Sequence, residues 1–284
     1  MGKFFEALKK AETARKFSSP RPTPRKVVKI PTENVEALKL DTRPPRTTTD
    51  EAGFGNAEID SHIAALLEPA SPAAECFRVL RAKLLVNMPD RSLRTIMVSS
   101  PEPLDGKTLV AANLAVTIAH GINEHVMLVD CDLRRPSVHQ WFGMNTQPGI
   151  REYLEQGTSL APYLLKTPER KLTLLAGGKP PPNPSELLSS EKMRLLVEEL
   201  KGRYENRYII LDAPPAQFTA ETSFLASMVD GVLLVVRFGK TSGNLLSKAI
   251  DNIGRERIIG VVFNADLEGS RSYRYYYKYY QNRH

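Results

Sequence analysis

The chain has little of what would tie it to a secreted, metal-stapled or membrane-spanning class. Its two cysteines, Cys76 and Cys131, stand at no ligand spacing. Neither a disulfide framework nor a zinc site is expected, and a reducing compartment fits. No apolar run approaches the ~18 residues that a membrane helix needs. The opening MGKFFEALKKAETARK lacks the apolar core of a signal peptide. Acid is scarce at both ends: residues 1–50 hold twelve Lys/Arg against six Asp/Glu, and residues 271–284 hold four against none. The net charge of +7 therefore sits on the flanks, and the middle of the chain is slightly acidic. Basic flanks suit an anionic surface such as nucleic acid or the cytoplasmic leaflet, while a solvated terminus fits as well.

Tyrosine is concentrated instead of spread. Six of the ten tyrosines, Tyr273, Tyr275, Tyr276, Tyr277, Tyr279 and Tyr280, fall in the closing SYRYYYKYYQNRH. No apolar periodicity surrounds them, so the sequence predicts an exposed tail over 269–284. Residues 1–16 read as a short amphipathic helix with Phe4, Phe5 and Leu8 on one side, either a docking segment or a frayed terminus. Residues 17–70, rich in Pro, Thr and Arg through 50, read as a disordered linker, and order is expected from Ser71. From there SPAAECFRVLRAKLLVNM predicts a capped helix.

Short apolar runs then alternate with helical stretches. TIMVSS (95–100), HVMLVD (125–130), LTLLAG (172–177), RYIILDAPP (207–215), GVLLVVR (231–237) and IIGVVFN (258–264) read as strands apolar on both faces. Helices are expected near 107–120, 136–142, 185–201, 221–228 and 242–254. This alternation predicts a doubly wound α/β domain over 71–268, with a mostly parallel sheet and ligands at the carboxyl ends of its strands.

The chemical motifs lie at those ends. The first strand runs into SSPEPLDGKTL, where Gly106-Lys107-Thr108 opens a helix. Helix N-terminal amides attract phosphate, the lysine adds a point charge, and the threonine hydroxyl can ligate Mg²⁺. The usual first glycine of the phosphate-loop pattern is replaced by Pro101. The second strand ends in VMLVDCDLRRP, and the spacing of Asp130 and Asp132 aims both carboxylates to one face. A cation between them fits that arrangement, as does a capped turn. Asp212 ends YIILDAPP, where an Mg²⁺-facing carboxylate or a strand-end cap would stand. Together these form one phosphate cradle and one metal site, of the P-loop NTPase type.

With those motifs in place, residues 71–284 resemble the bacterial tyrosine autokinases (BY-kinases) of exopolysaccharide and capsule assembly, of the autonomous cytoplasmic type. The resemblance implies an Mg-ATP-dependent protein-tyrosine kinase that phosphorylates its own tyrosine cluster between subunits and so regulates polysaccharide polymerisation and export. It implies that Lys107 contacts the phosphates, that Asp105, Gly106, Thr108 and Leu109 complete the cradle, and that Asn264 lies near the adenine. Thr108, Asp132 and Asp212 would hold Mg²⁺, and Asp130 would be the base for the tyrosine hydroxyl. Glu75, Arg78 and Arg81 fit the pattern ExxRxxR, which implies assembly into a ring; alone, that pattern also fits an exposed, internally paired helix. The family's partners would be further copies of the chain, a separate transmembrane activator and a tyrosine phosphatase. Nucleic acid is not expected, and the location would be cytoplasmic at the inner face of the membrane. Glu221 stands where related sequences have aspartate. The rival expectation is an ATPase switch of the partitioning or septum-placement type. It is disfavoured by Glu102 and Pro103, which replace the early lysine of those proteins.

Overall fold

The computed structural model describes residues 58–86, 93–203, 207–217 and 219–265. All of them fall in one compact unit, Asp50–His284. The segment 1–57 and the whole tyrosine tail lie outside the described residues, and so do the expectations placed on them.

Seven strands form one sheet: β1 (Thr95–Ser99), β2 (His125–Asp130), β3 (Leu164–Lys166), β4 (Leu172–Leu175), β5 (Arg207–Asp212), β6 (Gly231–Arg237) and β7 (Ile258–Asn264). Their order is β3-β4-β2-β5-β1-β6-β7, and every pairing except β3 with β4 is parallel. β1, β5 and β6 are apolar because helices cover both faces, so neither face can be polar. The core is correspondingly double. One layer runs from Met97 through Leu196, Leu211 and Ile253, and the other from Ile63 through Leu114, Leu128 and Val235. No helix among the described residues is long and apolar enough to cross a membrane.

The six expected strands are present, and three local readings need correction. The expected helix over 185–201 is two helices, Pro184–Leu188 and Glu191–Arg203. Ser190 separates them: its hydroxyl donates to Leu187 O at 2.7 Å and accepts the amide of Met193 at 3.2 Å, closing one helix and capping the next. The strand β3 and the helix Ile150–Gln156 were not anticipated, since three residues of LLK carry no readable period and pair only because β4 lies beside them.

The third correction concerns where packing begins. The expected linker runs to residue 70, yet Ile63 and Ala65 are buried. They dock on the helix Lys107–Ala119, ten of whose thirteen residues are buried, so it needs cover on its outer side as well. Asn113 fixes the contact, accepting the Ala65 amide at 3.0 Å and donating to His62 O at 2.9 Å. In the sequence only a short apolar cluster, with no helical period, marks this segment.

Candidate active site

The carboxyl ends of β1, β2 and β5 meet in one crevice. β2 pairs with β5 in a register that sets Asp130 opposite Asp212. The chain after β1 returns as the helix Lys107–Ala119 with Gly106 at its start, in a left-handed conformation (φ 97°). Gly106 is required there twice: an L side chain is strained at that φ, and a Cβ would run into Asn264 Nδ2.

Four expected residues converge. Lys107 Nζ lies 2.8 Å from Asp132 Oδ2 and 3.5 Å from Asp212 Oδ1, and contacts Thr108 Oγ1 at 3.2 Å. The Thr108 hydroxyl donates to Asp212 Oδ2 at 2.7 Å. Asp212 Oδ1 is buried and, beyond the ion pair to Lys107, has no hydrogen bond. Asp130 is fully buried and already occupied: Oδ2 accepts the amides of Ser137 (2.9 Å) and Val138 (3.0 Å), and Oδ1 that of Asp132 (3.2 Å). It therefore shapes the loop after β2 as well as lining the site.

The electrostatics follow from crowding. Burial pushes the Asp130 carboxyl up to about 8, and the neighbouring Asp212 charge adds to this against the amides that oppose it. Burial also raises Asp212, although Lys107 and the Thr108 hydroxyl pull the other way. Burial works against the Lys107 ammonium, but the charges of Asp212 and Asp132 outweigh it and hold the lysine above its ordinary value. One cation thus serves three carboxylates, and the site holds an excess of negative charge that a divalent ion would offset.

Mg²⁺ fits these donors: two carboxylates that already meet a cation, an adjacent hydroxyl and a carboxylate oxygen lacking a hydrogen bond. Among the described residues no three His, Cys, Asp or Glu side chains form a ready metal centre. Mg²⁺ does not need one, since it commonly takes one or two carboxylates and completes its shell with water and phosphate.

The remaining expected residues divide. Asp105 is buried and its carboxylate faces the protein, accepting Glu102 N at 3.1 Å and the Thr241 hydroxyl at 2.9 Å. The Leu109 side chain packs toward the core beneath the helix, so only its backbone could face a ligand. Asn264 donates from Nδ2 to Asp105 O at 2.9 Å, bracing the phosphate loop. Glu75 and Arg78 pair with each other within the helix Pro72–Val86. Arg78 also donates to Pro69 O at 2.7 Å and Arg81 to Thr117 O at 2.8 Å, so both arginines make contacts within their own chain. Glu221 is buried at the start of the helix Ala220–Met228, where it accepts from Nε (3.0 Å) and a terminal nitrogen (2.8 Å) of Arg134. Thr241, Arg134 and the amides of Ser137 and Val138 were missed, since no spacing in the sequence joins them to the motifs they hold.

No family model matches the chain. A tyrosine-protein kinase, YwqD of Bacillus subtilis, is 32% identical over 223 residues, which are 78% of this chain and 93% of that protein. A putative tyrosine-protein kinase, EpsB of Ralstonia solanacearum, is 34% identical over 74% of this chain, which spans 28% of EpsB. The kinase domain of the Escherichia coli tyrosine kinase ETK superposes with a TM-score of 0.67 at 30% identity, covering 71% of this chain and 79% of that one.

Proposed function

The chain belongs to the bacterial tyrosine-protein kinase family and is a protein-tyrosine kinase, and from that premise we propose that it takes Mg-ATP at the Lys107 crevice and phosphorylates its own tyrosine-rich tail. The single observation that carries this is the convergence of Lys107, Thr108, Asp132 and Asp212 beside a buried Asp130 at three adjacent strand ends. Thr108, Asp132 and Asp212 would hold Mg²⁺. What Mg²⁺ supplies when bound is neutralisation of charge on the phosphates.

The protein's own groups do the rest. Helix amides after Gly106 bind the phosphates, and Lys107, released from its carboxylates by the incoming charge, stabilises the transferred phosphoryl. Asp130, whose carboxyl burial pushes up to about 8 in the ligand-free site, would accept the tyrosine proton in its ionised form. The acceptors would be Tyr273, Tyr275, Tyr276, Tyr277, Tyr279 and Tyr280, presented by a neighbouring copy. Each phosphate adds about −1.5 to −2 charge, so two or three cancel the four cations of residues 271–284. Phosphorylation would then loosen an assembly formed through Glu75, Arg78 and Arg81. The cellular role we propose is regulation of exopolysaccharide export at the cytoplasmic face, with a membrane activator and a phosphatase as partners.

Mass-spectrometric mapping tests the reading. Purified protein is incubated with Mg-ATP beside Lys107→Met and Asp130→Asn. Phosphate on Tyr273–Tyr280 in the wild type alone is the expected outcome. A blank wild type, both by itself and with an activator's cytoplasmic segment, would overturn tail autophosphorylation and favour the ATPase switch.

A further inference from the structure

We infer that Thr241, in the turn after β6, is a positioning residue that fixes the phosphate loop for ATP. The inference rests on the reading of that loop as the nucleotide cradle. The loop has few supports of its own. Leu104 lies in the left-handed region (φ 67°), uncommon for a branched side chain, and is 78% exposed. A strained residue persists only where its surroundings hold it.

Those surroundings come from the same carboxyl edge of the sheet, from the ends of the neighbouring parallel strands β6 and β7. The Thr241 hydroxyl donates to Asp105 Oδ1 at 2.9 Å and accepts the amide of Arg237 at 3.1 Å, so its rotor is set from both sides. Asp105 Oδ2 accepts Glu102 N, within the loop itself. Arg237 reaches Leu104 O at 3.5 Å, and Asn264 holds Asp105 O. The end of β6 and the turn after it thus hold the two residues immediately before Gly106, Arg237 at the Leu104 carbonyl and Thr241 at the buried Asp105 carboxylate. Releasing Thr241 leaves Asp105 Oδ1 buried without that donor, a cost the loop can relieve only by moving. Movement there displaces the amides that open the phosphate-binding helix, so ground-state nucleotide affinity should fall while a bound complex keeps its catalytic groups.

Two variants weaken the same clamp from opposite ends. Thr241→Val keeps the shape and removes the hydroxyl. Asp105→Asn offers an acceptor to only one of the two donors. Full-length proteins are titrated with ATP and Mg²⁺ through displacement of a fluorescent nucleotide, and tyrosine phosphorylation is followed at varied ATP. Each variant is expected to weaken ATP binding and raise KM about tenfold, the loss of one hydrogen bond to a charged group. For Thr241→Val, kcat stays within about twofold, the pattern of lost ground-state binding, and Thr241→Ser restores wild-type affinity. The double variant should be no worse than either single one. Should one variant fail to fold, the other carries the same reading. Unchanged affinity in a folded variant, or a Thr241→Ser as impaired as Thr241→Val, would overturn the inference while wild-type binding, abolished by Lys107→Met, upholds the cradle. A wild type that binds no ATP would overturn both.

Discussion

Aspartates stand at both ends of the same sheet, in opposite circumstances. At the carboxyl ends, Asp130 and Asp212 lie side by side, share one lysine with Asp132, and are pushed toward the protonated form. At the other end, Asp230 precedes β6 and collects four donors. Oδ2 accepts Arg94 N (3.0 Å), Thr95 N (2.9 Å) and the Thr95 hydroxyl (2.7 Å), while Oδ1 accepts Lys201 Nζ (2.8 Å). Burial alone would raise Asp230, but Lys201 and the Thr95 donors more than offset it and hold the carboxyl below its ordinary value. One end is satisfied and ties strand to strand. The other is short of positive charge, which fits a place kept for a ligand and its cation.

The widest separation between the two ends should come from Lys107→Met. Tyrosine phosphorylation should fall a hundredfold or more, on the order seen when a group that stabilises transition-state charge is removed, while the strand-tying end is untouched. A phosphotransfer assay at saturating Mg-ATP checks this. Asp230→Asn should do the reverse. Loss of its charge-assisted bonds should cost about 2 kcal/mol in urea unfolding, with KM for ATP unchanged; a large KM shift would break the contrast.

Titration sharpens the comparison further, because the two shifts have opposite signs. Asp230, lowered from 3.8, contributes stability that is present above the unfolded value and lost as pH falls through the still lower folded one. Asp130 is raised, so the folded domain keeps a proton that the unfolded chain has released. Its effect is a stability that declines as pH climbs from about 4 to about 8. Urea midpoints of the nucleotide-free protein should therefore show an acid limb that Asp230→Asn weakens and an alkaline decline that Asp130→Asn weakens, with the raised Asp212 carboxyl retaining part of the latter. The smallest effect belongs to Glu75→Gln, far from both ends. Its partly exposed pair with Arg78 should contribute under ~1 kcal/mol to stability. A large shift in sedimentation would show instead that this helix face meets another copy.

The strand–helix alternation was legible in the order of residues alone, because a parallel sheet covered on both faces needs unbroken apolar runs, and those runs are local. That order also marked Lys107, Thr108, Asp130, Asp132 and Asp212, since each stands at a strand end or helix start that neighbouring residues define. It could not give Asn113 holding residues 62–65, Arg134 on Glu221, or Thr241 on Asp105. Each joins groups 48 or more positions apart in the chain. The β2–β5 register that makes two carboxylates neighbours was equally out of reach. Such pairings depend on strand order, and strand order is settled by which faces bury the most apolar surface when the whole chain packs.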